Sequence, residues 1–176
     1  MARLEKSALN HLGRFAATRT ELTRVLKRRV ARAVRAELIE RDEAAAMIET
    51  VVAKIAAAGY LDDTAVARAR AAGMRRAGRS SRIIAQKLAA KGISRDQTTE
   101  ALAAADGEDD KAELRAAATL AARRKLGPYR NGSRDEATLK RDLAALARGG
   151  FSYGIARTVA QASSPEALAA LLGEPD

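Results

Sequence analysis

The 176-residue sequence has no cysteine, no tryptophan, a single histidine, and aromatic residues at only 3%. Without cysteine there is no disulfide framework, no thiol nucleophile and no thiolate metal site, and a reducing cytoplasm is the expected compartment. His11 stands alone, so a histidine-based metal site is excluded, and no serine or lysine carries a recognisable activating motif. Glycine-rich phosphate loops of the P-loop or dinucleotide type are also missing. An enzyme is therefore not expected, and neither is a cofactor. Nowhere do about 18 apolar residues run together, so no membrane span is expected. The charged start Met1-Ala2-Arg3-Leu4-Glu5-Lys6 leads into no apolar core of a secretory signal. Strand-forming aromatic and β-branched residues are scarce, which removes sandwiches and barrels.

What is abundant is alanine, at 43 residues, the strongest helix former. An all-α chain is expected, and its few large apolar residues fit several thin cores better than one thick one. Lys and Arg number 32 against 22 Asp and Glu, a net charge of +10, so an acidic or polyanionic partner is expected. The excess is uneven: residues 1–60 carry five more bases than acids, 61–107 four more, and the remainder one more.

Helix signals recur along the chain. A first helix covers about Arg3 to Ala16, with Leu4, Ala8, Leu12 and Phe15 on one side. Thr18-Arg19-Thr20-Glu21 is a capping box opening a second, with Leu22, Val25, Leu26 and Val30 inward, and Ile48, Val51, Val52 and Ile55 mark a third that stops at Gly59. Asp62 and Asp63 cap a helix that breaks at Gly78; the alternative reading of the pair as catalytic or metal-binding carboxylates lacks a third ligand. Ser80 or Ser81 caps the next, which ends at Gly92, and Ser94-Arg95-Asp96-Gln97 is another capping box. After the polar stretch 106–110 come a helix to Lys125, a loop over 127–133, a helix ending at Gly149-Gly150, and a helix from Ser152.

An offset of 58 residues superimposes Leu88 on Leu146, Gly92 on Gly150, Ile93 on Phe151 and Ser94 on Ser152. One local design is used twice: apolar helix, glycine C-cap, buried hydrophobe, serine N-cap. The first part of the chain matches less well, because a charged insert of roughly Ala31 to Glu43 replaces the glycine turn. The expected organisation is three tandem three-helix repeats at 1–62, 63–107 and 108–163, followed by a short tail helix at 164–176. The Gly149-Gly150 pair leaves two C-cap registers open.

Gly59-Tyr60-Leu61-Asp62-Asp63, Lys91-Gly92-Ile93-Ser94 and Arg148-Gly149-Gly150-Phe151-Ser152-Tyr153, in this order and spacing, resemble the signature positions of the RecX regulatory proteins. The similarity runs from about Ala44 to Ala162. It implies an elongated, curved array of the three repeats. It also implies a cytoplasmic monomer that binds the RecA recombinase and its filament on DNA, with possible direct DNA contact, and that restrains recombinase, ATPase and coprotease activity in DNA repair and the SOS response. The alternative is a general basic helical protein that binds DNA through phosphate contacts.

Three cationic groups are the expected contact residues. Arg75, Arg76, Arg79 and Arg82, with Arg68, Lys87 and Lys91 nearby, surround a helix break in a stretch without acids from Thr64 to Arg95. Arginine forks suit phosphate or an acidic protein groove; a solvated helix surface is the plainer alternative. Arg24, Lys27 and Arg28 share a helix face, and Arg123, Arg124 and Lys125 precede a loop carrying Arg130. Tyr60, Phe151 and Tyr153 are expected to pack in cores rather than stack on bases.

Overall fold

The computed structural model describes residues 1–173. Its elements are α1 (Ala2–Leu12), α2 (Arg19–Arg35), α3 (Arg41–Ala57), α4 (Asp63–Arg76), α5 (Ser81–Ala89), α6 (Arg95–Asp106), α7 (Ala112–Arg124), α8 (Glu136–Arg148), α9 (Tyr153–Gln161) and α10 (Pro165–Leu172), with one 3-10 turn at Gly127–Tyr129. Among the described residues there is no strand, and no helix is long and apolar enough to cross a membrane. The tail expected over 164–176 holds α10, and residues 174–176 lie outside the described residues. Two compact units emerge: residues 1–67 with 88–97, and residues 68–87 with those from 98 onward.

In the first unit, α1, α2 and α3 close on Leu4, Ala8, Leu22, Leu26, Val51 and Ile55. The capping box of α2 is complete: the Glu21 amide donates to Thr18 Oγ1 at 3.1 Å, and the Thr18 amide donates to the Glu21 carboxylate at 3.1 Å. The buried Thr18 hydroxyl has a second role, donating to the Lys91 carbonyl at 2.7 Å. Lys91 ends α5 in a Schellman turn, with Gly92 at φ +81°, its amide on the Ala89 carbonyl at 2.9 Å, and the Ile93 amide on the Leu88 carbonyl at 3.2 Å. Such an end leaves carbonyls without a helical partner, and Thr18 satisfies one of them. A Cβ on Gly92 would fall inside the Thr20 hydroxyl, so both φ and space demand glycine.

The second unit repeats this joint. Ser80 Oγ accepts from the Ile83 amide at 3.3 Å and donates to the Gly149 carbonyl at 2.7 Å. Gly150 takes φ +91° while Gly149 stays helical at −67°, so the overlay on Gly92 selects the right register. The Phe151 amide reaches the Leu146 carbonyl at 3.3 Å, matching Ile93 on Leu88, and all four side chains are buried. Ser80 rather than Ser81 is thus the N-cap of α5. Around α7, the consecutive Ala116, Ala117 and Ala118 are all buried, so neighbouring helices approach closely on most of its sides. Among them are α9, whose Val159 and Ala160 backbone lies against Gly127, and α10.

Several expectations fail for local reasons. The first helix stops at Leu12: the Gly13 amide and the Phe15 amide cap its last carbonyls, and Phe15, expected inward, is 60% exposed. Tyr60 and Tyr153 are 62% and 68% exposed instead of packed. Tyr60 follows the left-handed Gly59, and Leu61 takes the buried place; Tyr153 opens α9 ahead of Ala156, its first buried residue. Phe151 alone of the three is core. The charged insert proves to be the last turn of α2, to Arg35, a loop that turns without glycine at Glu37, φ +54°, and the start of α3 at Arg41.

Removing the Thr18 or Ser80 hydroxyl takes away a cap worth about 1 kcal/mol and strands a half-buried carbonyl at about 1–3 kcal/mol. Thr18→Ala and Ser80→Ala should each lose about 2–4 kcal/mol in urea unfolding, and Ser152→Ala, whose exposed hydroxyl only accepts the Ile155 amide, about 1 or less. Equal losses at all three positions would contradict the double role. At the start of α8, the hydrogen bond from the Thr138 amide holds the Asp135 carboxyl below the usual aspartate range. Its contribution is complete above the unfolded value of about 3.9 and drains away as pH falls through the depressed native value. Acid unfolding of the unmodified chain should show a loss below about pH 4 that Asp135→Asn lacks.

Candidate functional site

The cationic residues singled out in the sequence sort into two kinds once their partners are seen. Arg75 is 8% exposed. Its Nε and Nη2 hold Asp106 at 2.6 and 2.8 Å, Nη1 reaches Glu113 at 2.7 Å and the Arg79 carbonyl at 3.1 Å, and Nη2 reaches the Ser81 hydroxyl at 2.6 Å. These bonds match the donor capacity of a guanidinium. Burial pulls its pKa down, but the hydrogen bonds and charges of Asp106 and Glu113 more than reverse this and leave it raised. Arg75, expected as a partner contact, has its donors committed inside the fold, where it ties α4 to α6 and α7. Arg130, also expected as a contact, is held within the second unit: Asp142, 3% exposed, pairs with its guanidinium and also accepts the Gly127 amide at 2.8 Å. That hydrogen bond keeps the Arg130 pKa raised, and the pair anchors the loop.

Others are occupied but exposed. Arg68 pairs with Glu100, and Lys91 with Glu21 at 2.7 Å. Arg24 donates to the Ala90 carbonyl at 3.1 Å just past α5, and Arg123 to the Ala77 carbonyl at 2.6 Å just past α4. Arg134, which no sequence signal marked, caps α9 through the carbonyls of Ala162 at 2.6 Å and Ser163 at 2.9 Å. Its partners lie too far along the chain for any local pattern to show them. Cations at orphan carbonyls gain from the helix dipole, so part of the basic excess holds the fold together.

Arg76, Arg79, Arg82, Lys87, Arg124 and Lys125 carry no such partner among the described residues, nor do Lys27 and Arg28 on α2. The structure gathers two remote groups. The Arg123 bond to Ala77, and Gly78 lying against the Leu120 and Ala116 backbone, set the end of α7 beside the α4–α5 turn. The segment carrying Arg76, Arg79 and Arg82 therefore lies beside the end of α7 that carries Arg123 and Arg124, all in the second unit. The Ser80 bond to Gly149 brings the end of α8 there as well, adding Arg148, which the sequence reading missed. Lys27 and Arg28 belong to the first unit. The carboxylates Asp62 and Asp63 both cap: Asp62 accepts the Ala65 amide at 2.8 Å, and Asp63 the Arg19 amide at 2.9 Å at the start of α2. No cluster of potential metal ligands occurs among the described residues.

The signature positions Gly59, Leu61, Asp62, Asp63, Lys91, Gly92, Ile93, Gly150, Phe151 and Ser152 all stand at helix ends, where the joints are made. Residues 62–102 match the family model described as "RecX, second three-helix domain". A Regulatory protein RecX of Myxococcus xanthus strain DK1622 is 46% identical over 158 residues, covering 89% of this chain and 83% of that protein. The chain belongs to the RecX family. A second relative, Regulatory protein RecX of Agrobacterium fabrum, is 38% identical over 107 residues, 61% of this chain and 55% of that one. Two solved RecX structures share the fold. One matches at TM-score 0.67 and 22% identity, over 90% of this chain and 70% of that one. The other, from Lactobacillus salivarius, matches at 0.62 and 23%, over 92% and 95%. These RecX relatives are named as regulatory proteins, not as enzymes.

In this RecX chain Arg75 and Arg76 are neighbours in opposite surroundings, the first buried and the second exposed. Arg75→Ala should destabilise by about 3–5 kcal/mol, since it leaves Asp106 and Glu113 without their shared counter-charge. Arg76→Ala should stay within about 0.5 kcal/mol. Thermal or urea unfolding checks both, and a tolerated Arg75→Ala would refute the structural role.

Proposed function

We propose that the chain regulates the RecA recombinase, binding RecA and its filament on DNA and mainly restraining recombinase, ATPase and coprotease activity in DNA repair and the SOS response. The reading rests on RecX membership together with one observation. After the arginines committed to helix ends and to acids within the fold are set aside, the exposed Arg76, Arg82, Arg124 and Arg148 and the half-buried Arg79 remain around one turn of the second unit. Guanidinium groups grouped in this way suit phosphates or carboxylates on a nucleoprotein surface. Lys27, Arg28, Lys87 and Lys125 are weaker candidates for the same contact. The chain acts by binding rather than catalysis, as a cytoplasmic monomer of three tandem modules at 1–62, 63–107 and 108–163. The repeated Thr18–Lys91 and Ser80–Gly149 joints support that modular reading.

A second reading, DNA binding through phosphates alone, is favoured by the net charge of +10. It requires a steep inverse salt dependence, with a log–log slope of about −0.9 per phosphate neutralised. Purified chain should lower RecA's DNA-dependent ATPase at substoichiometric amounts, and should prefer filament-coated to naked DNA at about 150 mM salt. Undiminished ATPase at equimolar protein would refute the regulator reading. The triple reversal Arg76→Glu, Arg79→Glu and Arg82→Glu should weaken filament binding at least about tenfold while leaving the unfolding midpoint in place.

A further inference from the structure

A groove runs between α2 and α3 in the first unit, far in sequence from the arginine turn. Its two sections have volumes of about 420 and 500 Å³ and share Lys27, Ala45 and Ile48 in their walls, so they form one continuous channel. The floor is apolar: Val30, Val34, Ala44, Ala45, Ile48 and Val52. The rim is mostly basic, with Arg19, Lys27, Arg35 and Arg41 against the two carboxylates Asp42 and Glu49. At one end the glycine-free turn at Glu37 holds Leu38 80% exposed, a large apolar side chain left in water beside the channel.

We propose that this groove receives an amphipathic helix of a protein partner, with an apolar face and acidic flanks. Three features decide the occupant. The groove lies between two helices whose backbone bonds are internal, so no strand edge is offered and side chains alone can make contact. A floor of valine, isoleucine and alanine penalises the burial of phosphates, which turns nucleic acid away. Four cations against two carboxylates on the rim complement acidic residues flanking an apolar stripe. The channel follows α2 from Arg19 to Arg35, about 24 Å, which is the length of a helix of about 16 residues. Anchors at i, i+3, i+4 and i+7 would fill the floor, and Leu38 would cover one end of the guest.

The inference does not rest on the RecA reading, and its test uses the chain alone, so the failure of one leaves the other standing. A displayed library of amphipathic helices of about 16 residues, with flanks of every charge, is selected against the purified full chain. Acidic-flanked sequences should be enriched. Their binding should fall at least about tenfold on Ala45→Trp, which fills the channel, and on the double reversal Lys27→Glu with Arg41→Glu. Both variants change exposed side chains, and their melting temperatures should stay within about 2 °C of the parent. Methyl resonances of Val34 and Ile48 should shift with the selected peptide and not with a single-stranded oligonucleotide. Four outcomes would overturn the proposal: no enrichment, enrichment of basic flanks, binding that survives Ala45→Trp, or oligonucleotide shifts at those methyls. Concentration-dependent dimers abolished by Ala45→Trp would also overturn it, assigning the groove to a second copy of the chain.

Discussion

A single hydroxyl that closes one helix and opens into another carries the architecture. Thr18 and Ser80 each accept an amide of the helix they begin and donate to the last carbonyl before a left-handed glycine on a different helix. Both hydroxyls are buried, so neither donor can fall back on water, and the arrangement is directional in a way that apolar contact is not. The glycine is part of the same constraint: a Cβ at Gly92 or Gly150 would collide with the side chains at the start of the facing helix. An alanine-rich chain with thin cores has little shape with which to fix helix register. A hydrogen bond repeated at the starts of α2 and α5 supplies specificity that bulky side chains supply elsewhere.

The arginines divide along the same line. A helix end exposes carbonyls, and a long cationic side chain from elsewhere can satisfy them while placing its charge favourably on the dipole. Arg24, Arg123 and Arg134 do this, and Arg75 combines a carbonyl with two carboxylates and a hydroxyl. The remaining solvent-facing arginines are therefore fewer than the composition suggested. In the second unit Arg76, Arg82, Arg124 and Arg148 are among them, and in the first unit Arg28, Arg35 and Arg41.

The groove of the first unit has a different origin. Extending α2 to Arg35 and turning at Glu37 lengthens the α2–α3 pair beyond what the apolar cluster of Leu22, Leu26, Ile48 and Val51 can fill. The extra length prolongs the apolar strip between the two helices past Val30 to Val34 and sets Arg35 and Arg41 at its edge. The insert that looked like an interruption of the repeat is thus the segment that builds a surface.

Much was legible in the sequence because it depends on neighbours along the chain. Helix class followed from alanine, capping boxes at Thr18 and Ser94 from residues three apart, and the glycine turns at Gly92 and Gly150 from the need for positive φ. The 58-residue overlay held because the same local physics acts at both places, and the family signature consists of those helix ends. Partners distant in sequence were not legible. The stretch from Thr64 to Arg95 has no acid, yet Asp106, Glu100, Glu113 and Glu21 arrive from outside it to occupy Arg75, Arg68 and Lys91. The rings of Phe15, Tyr60 and Tyr153 looked apolar enough to bury, and only the packed neighbours decided that Leu61 and Ala156 would be buried instead. Helix starts and stops are short-range events that the chain specifies on its own. Whether a charge is spent on the fold or offered to a partner depends on which distant group the fold brings within 3 Å or so, and tertiary structure alone decides that.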